Sequence, residues 1–179
     1  MTGLVATRRN AQAQTMIAQL ADFLRASLAA DPEAEVRLSD ELATAEAYLG
    51  IESTRFGDRL TVSTEAPPEL MDALVPNFIL QPLVENAVKH GVAPHRARVQ
   101  VVVRATASDD ALTITTSNHS KVGRPGEPEG APNGGLRCAL GLTNVRQRLA
   151  VLYGDQARLE TRVLDDGYAS SVTLPLRRA

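Results

Sequence analysis

The sequence predicts one compact α/β unit behind an N-terminal helical segment, and three observations predict it. The first third of the chain carries apolar residues at helical spacing, two later stretches have a strand–turn–strand pattern, and a further periodic helix stands between them. A chain of 179 residues can bury a core of its own, which suits a single domain with a helical appendage.

From Ala11 to Leu28, Ile17, Leu20, Leu24 and Leu28 recur on one helical face, and Asp31-Pro32 ends that helix. A second helix opens at Ser39, a favourable N-cap, with Asp40 and Glu41 where the helix dipole favours negative charge. It is expected to run to about Asp58 along a seam of Leu42, Ala45, Leu49 and Phe56. An extended stretch from Leu60 to Glu65 and the Pro67-Pro68 break precede a third helix, expected from about Asn77 to His90 with Gly91 at its C-cap and Pro82 in or near the first turn. Arg98 to Ala107 and Ala111 to Ser117 form a strand pair turning at Ser108-Asp109-Asp110. Ala157 to Leu164 and Tyr168 to Leu174 form another, turning at Asp165-Asp166-Gly167. The helix between the pairs is expected from about Gly141 to Tyr153, with Leu142, Val145, Leu149 and Leu152 as its seam. Ser120 to Leu136 holds five glycines and three prolines in 17 residues without apolar periodicity, so it is expected to be a loop of the length used by lids and binding loops.

Composition excludes several classes of function. A net charge of −2 gives no basic footprint for nucleic acid or anionic lipid. The single Cys138 allows neither an intramolecular disulfide nor a thiolate metal cluster and suits a reducing cytosol. No apolar run approaches the roughly 20 residues needed to span a bilayer, and Arg8 and Arg9 precede mixed polar residues where a signal peptide has its apolar core. A soluble, cytoplasmic chain is expected.

The segment Gln81-Pro82-Leu83-Val84-Glu85-Asn86-Ala87-Val88-Lys89-His90-Gly91 carries the densest chemistry. On a helical wheel, Leu80, Leu83, Val84, Ala87 and Val88 share one face, and Gln81, Glu85, Asn86, Lys89 and His90 share the other. An amide, a cation, an imidazole and a carboxylate on one face can hold a metal–phosphate group, the amide oxygen meeting Mg²⁺ and the cation meeting phosphate. The same pattern also fits an amphipathic helix with a solvated polar face. No Gly-x-x-x-x-Gly-Lys-Ser/Thr sequence is present, which excludes a P-loop.

Pro76 to Gly91 resembles the N-box of sensor histidine kinases in the LytS-like group that signals to LytTR-type response regulators. Gly141-Leu142-Thr143-Asn144-Val145-Arg146-Gln147-Arg148-Leu149 through Tyr153-Gly154 resembles the helix that follows that family's ATP lid. Tyr48-Leu49-Gly50-Ile51-Glu52 and Arg55-Phe56-Gly57-Asp58-Arg59-Leu60 resemble its linker, and Leu24-Arg25-Ala26-Ser27-Leu28 resembles the second helix of its dimerisation hairpin. The resemblance implies an α/β (α+β) two-layer sandwich of the Bergerat or GHKL ATPase type, with residues 1–58 a remnant of the dimerisation and phosphotransfer region and residues 59–179 the ATP-binding catalytic domain. It implies ATP and Mg²⁺ as cofactors, a homodimer through the N-terminal helices, a response regulator as partner, no nucleic acid, and a sensor or membrane region beyond this chain.

Carried over residue by residue, the resemblance makes Asn86 the Mg²⁺ ligand and brings Lys89 and His90 to the phosphates or the adenine edge. Glu85 is the candidate proton acceptor or orienting group, or else a solvated helix residue. Gly141 and Leu142 would offer backbone N–H groups at a helix N-terminus, with Asn144 adding a side-chain contact. Three departures stand against the family pattern. Asn118-His119-Ser120 replaces Asp-x-Gly, so an amide stands where the family reads adenine with a carboxylate, and base specificity is expected to loosen. The second glycine motif keeps only Gly141, with Gly134-Gly135 upstream. The Asn-Pro-His-Phe phosphoacceptor motif is absent, and His90, His95 and His119 fall in the N-box, a loop and the lid, so the chain is expected to begin just after the phosphoacceptor helix. Two alternatives remain open at this stage: a degenerate dimerisation and docking module, and an anti-sigma-type serine kinase of the same superfamily.

Overall fold

The computed structural model describes residues 34–92, 97–120 and 134–178, with the backbone alone for 134–140. The helix expected from Ala11 to Leu28 and residues 121–133 of the expected lid lie outside the described residues. Strand β1 (Glu35–Arg37) leads into α1 (Leu38–Phe56), which buries Leu38, Leu42, Ala45 and Leu49. Leu42, Ala45 and Leu49 are the expected seam, Phe56 is only partly buried, and the helix stops two residues early because Gly57 turns left-handed at φ 58°. Strand β2 (Leu60–Glu65) follows, then a 3₁₀ turn and β3 (Leu74–Pro76), which pairs antiparallel with β1. This two-stranded ribbon escaped the sequence analysis because three residues are too short to show alternation.

Helix α2 (Gln81–Ala87) starts four residues later than expected and passes into a π turn at Val88–Val92. Phe78 sits at φ 58°, a left-handed conformation costly for a bulky side chain and incompatible with an α-helix running through it. Glu41 of α1 holds that conformation in place. Its carboxylate is buried and accepts the N–H of Phe78 at 2.7 Å and of Leu80 at 2.9 Å. Pro82 falls in the first turn of α2, where its missing N–H costs nothing.

The main sheet has the order β2, β4 (Val99–Ser108), β5 (Ala111–Ser120), β7 (Gly167–Pro175), β6 (Arg158–Leu164). Only β2 and β4 run parallel, so the sheet is mixed. Both expected strand pairs form, β5 continuing three residues beyond its expected end. Between them, α3 (Gly134–Tyr153) begins seven residues earlier than expected, since Leu136, Arg137, Ala139 and Leu140 are good helix formers that extend it upstream. Its core seam is Leu142, Val145, Leu149 and Tyr153; Leu152, expected there, stays 38% exposed. The helices cover one face of the sheet, and a single apolar cluster joins Leu38, Leu42 and Leu49 of α1 to Leu83 and Val84 of α2, Leu149 of α3 and the inner faces of the strands. Helix α1, which precedes the boundary expected near residue 58, contributes Leu38, Leu42, Ala45 and Leu49 to this cluster. No helix among the described residues is long and apolar enough to cross a membrane.

Glu41→Gln tests the joint between α1 and α2. The amide offers one acceptor to two N–H groups and turns a donor toward the other, so folding stability should fall by about 2 kcal/mol in urea denaturation at neutral pH. Burial holds the Glu41 carboxyl above its ordinary 4.5, against the opposing pull of the Leu80, Phe78 and Ile79 backbone and the Arg148 charge. The folded state therefore binds this proton before the unfolded chain does, and the Glu41 contribution to stability falls as pH rises from 4.5 through the raised folded value. That slope should vanish in the glutamine variant; an unchanged slope and midpoint would show that Glu41 is not the joint.

Candidate functional site

The inner face of the β5–β7 pair changes character along its length. Its register partners are Leu112 with Leu174, Ile114 with Val172, Thr116 with Ser170, and Asn118 with Tyr168. The first two rungs are core; the last two carry hydroxyls and an amide under the helix layer. Buried polar atoms without partners are costly, so a sheet face that turns polar beneath a helix marks a place built for something other than packing. Here Thr116 Oγ1, Ser170 Oγ and Asn86 Nδ2 are all buried without a hydrogen-bond partner among the described residues.

Asn86 is 3% exposed, so it is not part of a solvated polar face; it is buried on the last turn of α2. Glu85 is half-buried and accepts a hydrogen bond from Gln81 Nε2 at 2.8 Å, which occupies it within its own helix. Lys89 and His90 are exposed on the π turn, a local form that recurs at functional sites. Partial burial, and then the neighbouring Lys89 charge, hold the His90 imidazole below its ordinary 6.5, so it is neutral at physiological pH.

Asn118 ties this helix to the sheet. It is 2% exposed, and its Nδ2 donates to the Ala87 carbonyl at 3.2 Å, satisfying one of the last acceptors of α2. Two glycines make room for it. A Cβ at Gly91 would lie 2.6 Å from Asn118 Cγ, and one at Gly167 would lie 1.8 Å from the Asn118 carbonyl oxygen. Gly91 is therefore not a helix cap, as expected from sequence; it lies inside the π turn and lets that turn close on β5. The Ala87 bond also fixes which way the amide points. Turning it over would set Oδ1 against a carbonyl, so the expected loosening of base specificity does not follow from this geometry.

On α3 the geometry departs from the expected anion site. Gly141 and Leu142 lie inside the helix, where ladder hydrogen bonds occupy their N–H groups, instead of at its N-terminus. Gly141 stands beside Pro82 at the start of α2, Leu142 is buried in the core, and Asn144 is exposed. His119, expected in the lid, is part of β5, which stays paired with β4 as far as Ser120. Its Nδ1 meets Asp166 at 3.1 Å and its Nε2 meets Ser117 Oγ at 2.9 Å. Those three side chains resemble a hydrolytic triad, but the β5 backbone around them is paired on both sides and offers no oxyanion donors. The sequence analysis missed Thr116 and Ser170; their one signal is a hydroxyl where the strand alternation calls for an apolar residue.

Residues 1–60 match the family described as histidine kinase. The chain is 31% identical over 170 residues to the sensor protein LytS of Staphylococcus saprophyticus, an alignment covering 92% of this chain and 28% of that protein. Among solved structures, the nucleotide-free catalytic domain of histidine kinase ThkA has a TM-score of 0.58 at 14% identity, covering 82% of this chain and 98% of that one. Full-length ShkA in complex with AMPPNP has a TM-score of 0.56 at 17% identity, covering 99% of this chain and 39% of that one. The fold is that of histidine kinase catalytic domains, an α+β sandwich with a mixed sheet. By sequence the chain is similar to the sensor histidine kinases of the LytS-like group, and it spans less than a third of the length of the LytS protein it matches.

The close approach of Gly167 to β5 is open to a direct test. Gly167→Ala forces a methyl group into the Asn118 backbone, which cannot yield without parting β5 from β7, and should cost about 3 kcal/mol of stability in chemical denaturation. Gly91→Ala meets side-chain atoms, which can yield, and should cost less. Equal, negligible losses would mean the two strands do not pair in this register.

Proposed function

We propose that this chain binds ATP with Mg²⁺ and supplies the catalytic part of a sensor histidine kinase, transferring the γ-phosphate to a histidine on a dimerisation helix for relay to a response regulator. The observation that carries this reading is the Asn86 amide, buried in a structure that leaves its Nδ2 unpaired, one residue before the Ala87 carbonyl that Asn118 of β5 meets. An amide in that state fits a site completed by ligand. Asn86 would hold Mg²⁺ through its amide oxygen, together with the nucleotide's own phosphates, and its unpaired Nδ2 would be left to donate to a phosphate oxygen. When bound, the ion supplies neutralisation of phosphate charge. Lys89, on the open π turn, supplies a cation for the phosphates, whereas His90, neutral at physiological pH, supplies a hydrogen bond. Glu85, Gly141, Leu142 and Asn144 border this region and position it instead of making the main contacts. A LytTR-type regulator, a homodimer formed by the N-terminal helices and a separate sensor region complete the proposal.

The base end of the site follows from Asn118. With Nδ2 committed to Ala87, the remaining Oδ1 is an acceptor, as the carboxylate of the family pattern would be. An acceptor there suits the exocyclic amine of adenine and opposes the carbonyl of guanine.

Two measurements test these assignments. Asn86→Ala should abolish Mg²⁺-dependent ATP binding in calorimetry while leaving the melting temperature close to wild type, because the amide it removes has an unpaired donor; undiminished affinity would sink the metal assignment. In competition titrations the wild-type protein should prefer ATP over GTP by roughly tenfold, the cost of an unmatched acceptor pair being about 1.4 kcal/mol, and Asn118→Ala should erase the preference. A preference that survives the substitution would show that Asn118 does not face the base.

A further inference from the structure

The two edges of the main sheet are built differently. Among the described residues β6 pairs only with β7 and β2 only with β4, so each has an unpaired outer edge. Such an edge is a template for another strand, and charged side chains are one device that discourages the addition. Strand β6 carries Arg158, Glu160 and Arg162 along its length. From Leu60 to Thr64, β2 carries no charge and no proline and keeps an unbroken register; its one charge, Glu65, closes the strand and is held by Arg104 at 2.6 Å. Only Gly57 to Arg59 separate α1 from β2, so the helix lies back along this edge. Between the two is a groove of about 460 Å³, lined by Glu46, Leu49, Gly50 and Ser53 of α1 and by Val62 and Thr64 of β2. The helix positions are spaced 3, 1 and 3 apart and the strand positions 2 apart, so each set shares one face of its element. Gly50 stands inside α1, where glycine is a poor helix former, yet a Cβ there would meet nothing within 4 Å. Packing within the described chain therefore does not call for a glycine, and the space it leaves belongs to the groove. Glu46 is exposed and has no hydrogen bond or ion pair among the described residues.

We propose that β2 takes up an extended segment of a partner protein as an added strand, with small apolar side chains entering the α1–β2 groove and a basic side chain meeting Glu46. Strand addition satisfies the unpaired backbone groups of the edge, and the two-residue period of the added strand sends every second side chain toward the helix layer. The groove suits that period. Its floor is apolar, with Leu49 buried and Val62 half-buried, Ser53 and Thr64 add hydroxyls, and Gly50 leaves room for a side chain of valine size. The unpaired carboxylate at Glu46 sets the sign of the partner's charge. A second copy of this chain, pairing β2 with β2, is a poorer occupant because Leu60 to Glu65 bring no basic residue to Glu46. The site is separate from the nucleotide reading: β4 stands between β2 and the strand that carries Asn118.

The test titrates the full chain, without nucleotide, with a labelled hexapeptide that alternates valine and threonine and ends in arginine, and with its glutamate-ended counterpart. The arginine peptide should bind about threefold tighter, the scale of one exposed ion pair, and Glu46→Gln should erase that preference. Bound peptide should slow amide hydrogen exchange at alternate residues between Leu60 and Thr64, the ones whose N–H groups face the free edge. Of two peptides N-methylated at alternate residues in opposite phase, one should lose binding and the other keep it, because only one row of peptide N–H groups faces β2. Gly50→Leu fills the groove and should weaken the peptide roughly tenfold, with a melting temperature no lower than wild type because the new side chain enters open space. A wild-type chain that binds neither peptide, binding that survives Gly50→Leu, or the same response to both methylated peptides would each overturn the proposal. So would a dimer of the free chain in sedimentation that Gly50→Leu dissolves, which would make a second copy the occupant.

Discussion

The Glu41 carboxylate is the point on which the helix layer depends. It belongs to α1, yet its two oxygens take the N–H groups of Phe78 and Leu80, on the segment that launches α2. A buried charge is expensive unless hydrogen-bonded, and here the charge-assisted bonds offset part of that cost and hold Phe78 in a backbone conformation it would not otherwise adopt. The start of α2 is thereby fixed at Gln81. From that start the helical period decides which residues turn inward, and Asn86 comes to lie buried.

At its far end α2 is fixed by a different device. Asn118 reaches up from β5 to the Ala87 carbonyl, and Gly91 and Gly167 leave it the space to do so. A seven-residue helix has little intrinsic stability, so its position is set by what grips its two ends. Both grips use polar groups buried beside apolar ones: leucine, valine and alanine on α2 face the common core, while the ends are held by a carboxylate and an amide. The π turn between Val88 and Val92 widens the last turn, and its Lys89 and His90 stay exposed.

Much of this was legible in the sequence, and what was hidden has physical reasons. The helices, the strand pairs and their turns followed from apolar spacing and from Asp and Gly at the turns. The N-box resemblance singled out Asn86, and the resemblance after β5 singled out Asn118; both are buried. The helix boundaries at Asn77 and Gly141 did not survive, because the first is overruled by a tertiary contact from Glu41, 36 residues upstream of Asn77, and the second by helix formers continuing past the glycine motif. Glu41 itself looked like an ordinary first-turn acid, since burial cannot be read from local pattern. Thr116 and Ser170 show in the sequence only as hydroxyls where the strand alternation calls for an apolar residue, and it takes the register that pairs them to bring two unbonded hydroxyls together.

The segment before α2 is also held from the side of α3. Arg148 donates to the Asn77 carbonyl, next to the residue whose N–H Glu41 receives. Tyr153, a little over one turn further along α3, donates to Glu35 of β1, which in turn pairs with Arg177 near the end of the described chain. Burial, together with the Glu35 carboxylate, pushes the Tyr153 phenol well above its ordinary range, so it remains a donor across the physiological span. Helices α1 and α3 therefore grip the same few residues, one through a carboxylate and the other through a guanidinium. Neither can slide against the other without displacing Asn77 to Leu80, and Asn86 lies fewer than two helical turns from Leu80. A rigid joint at this place makes the buried amide a fixed feature of the helix layer, so any relative motion of the two helices has to appear at that amide.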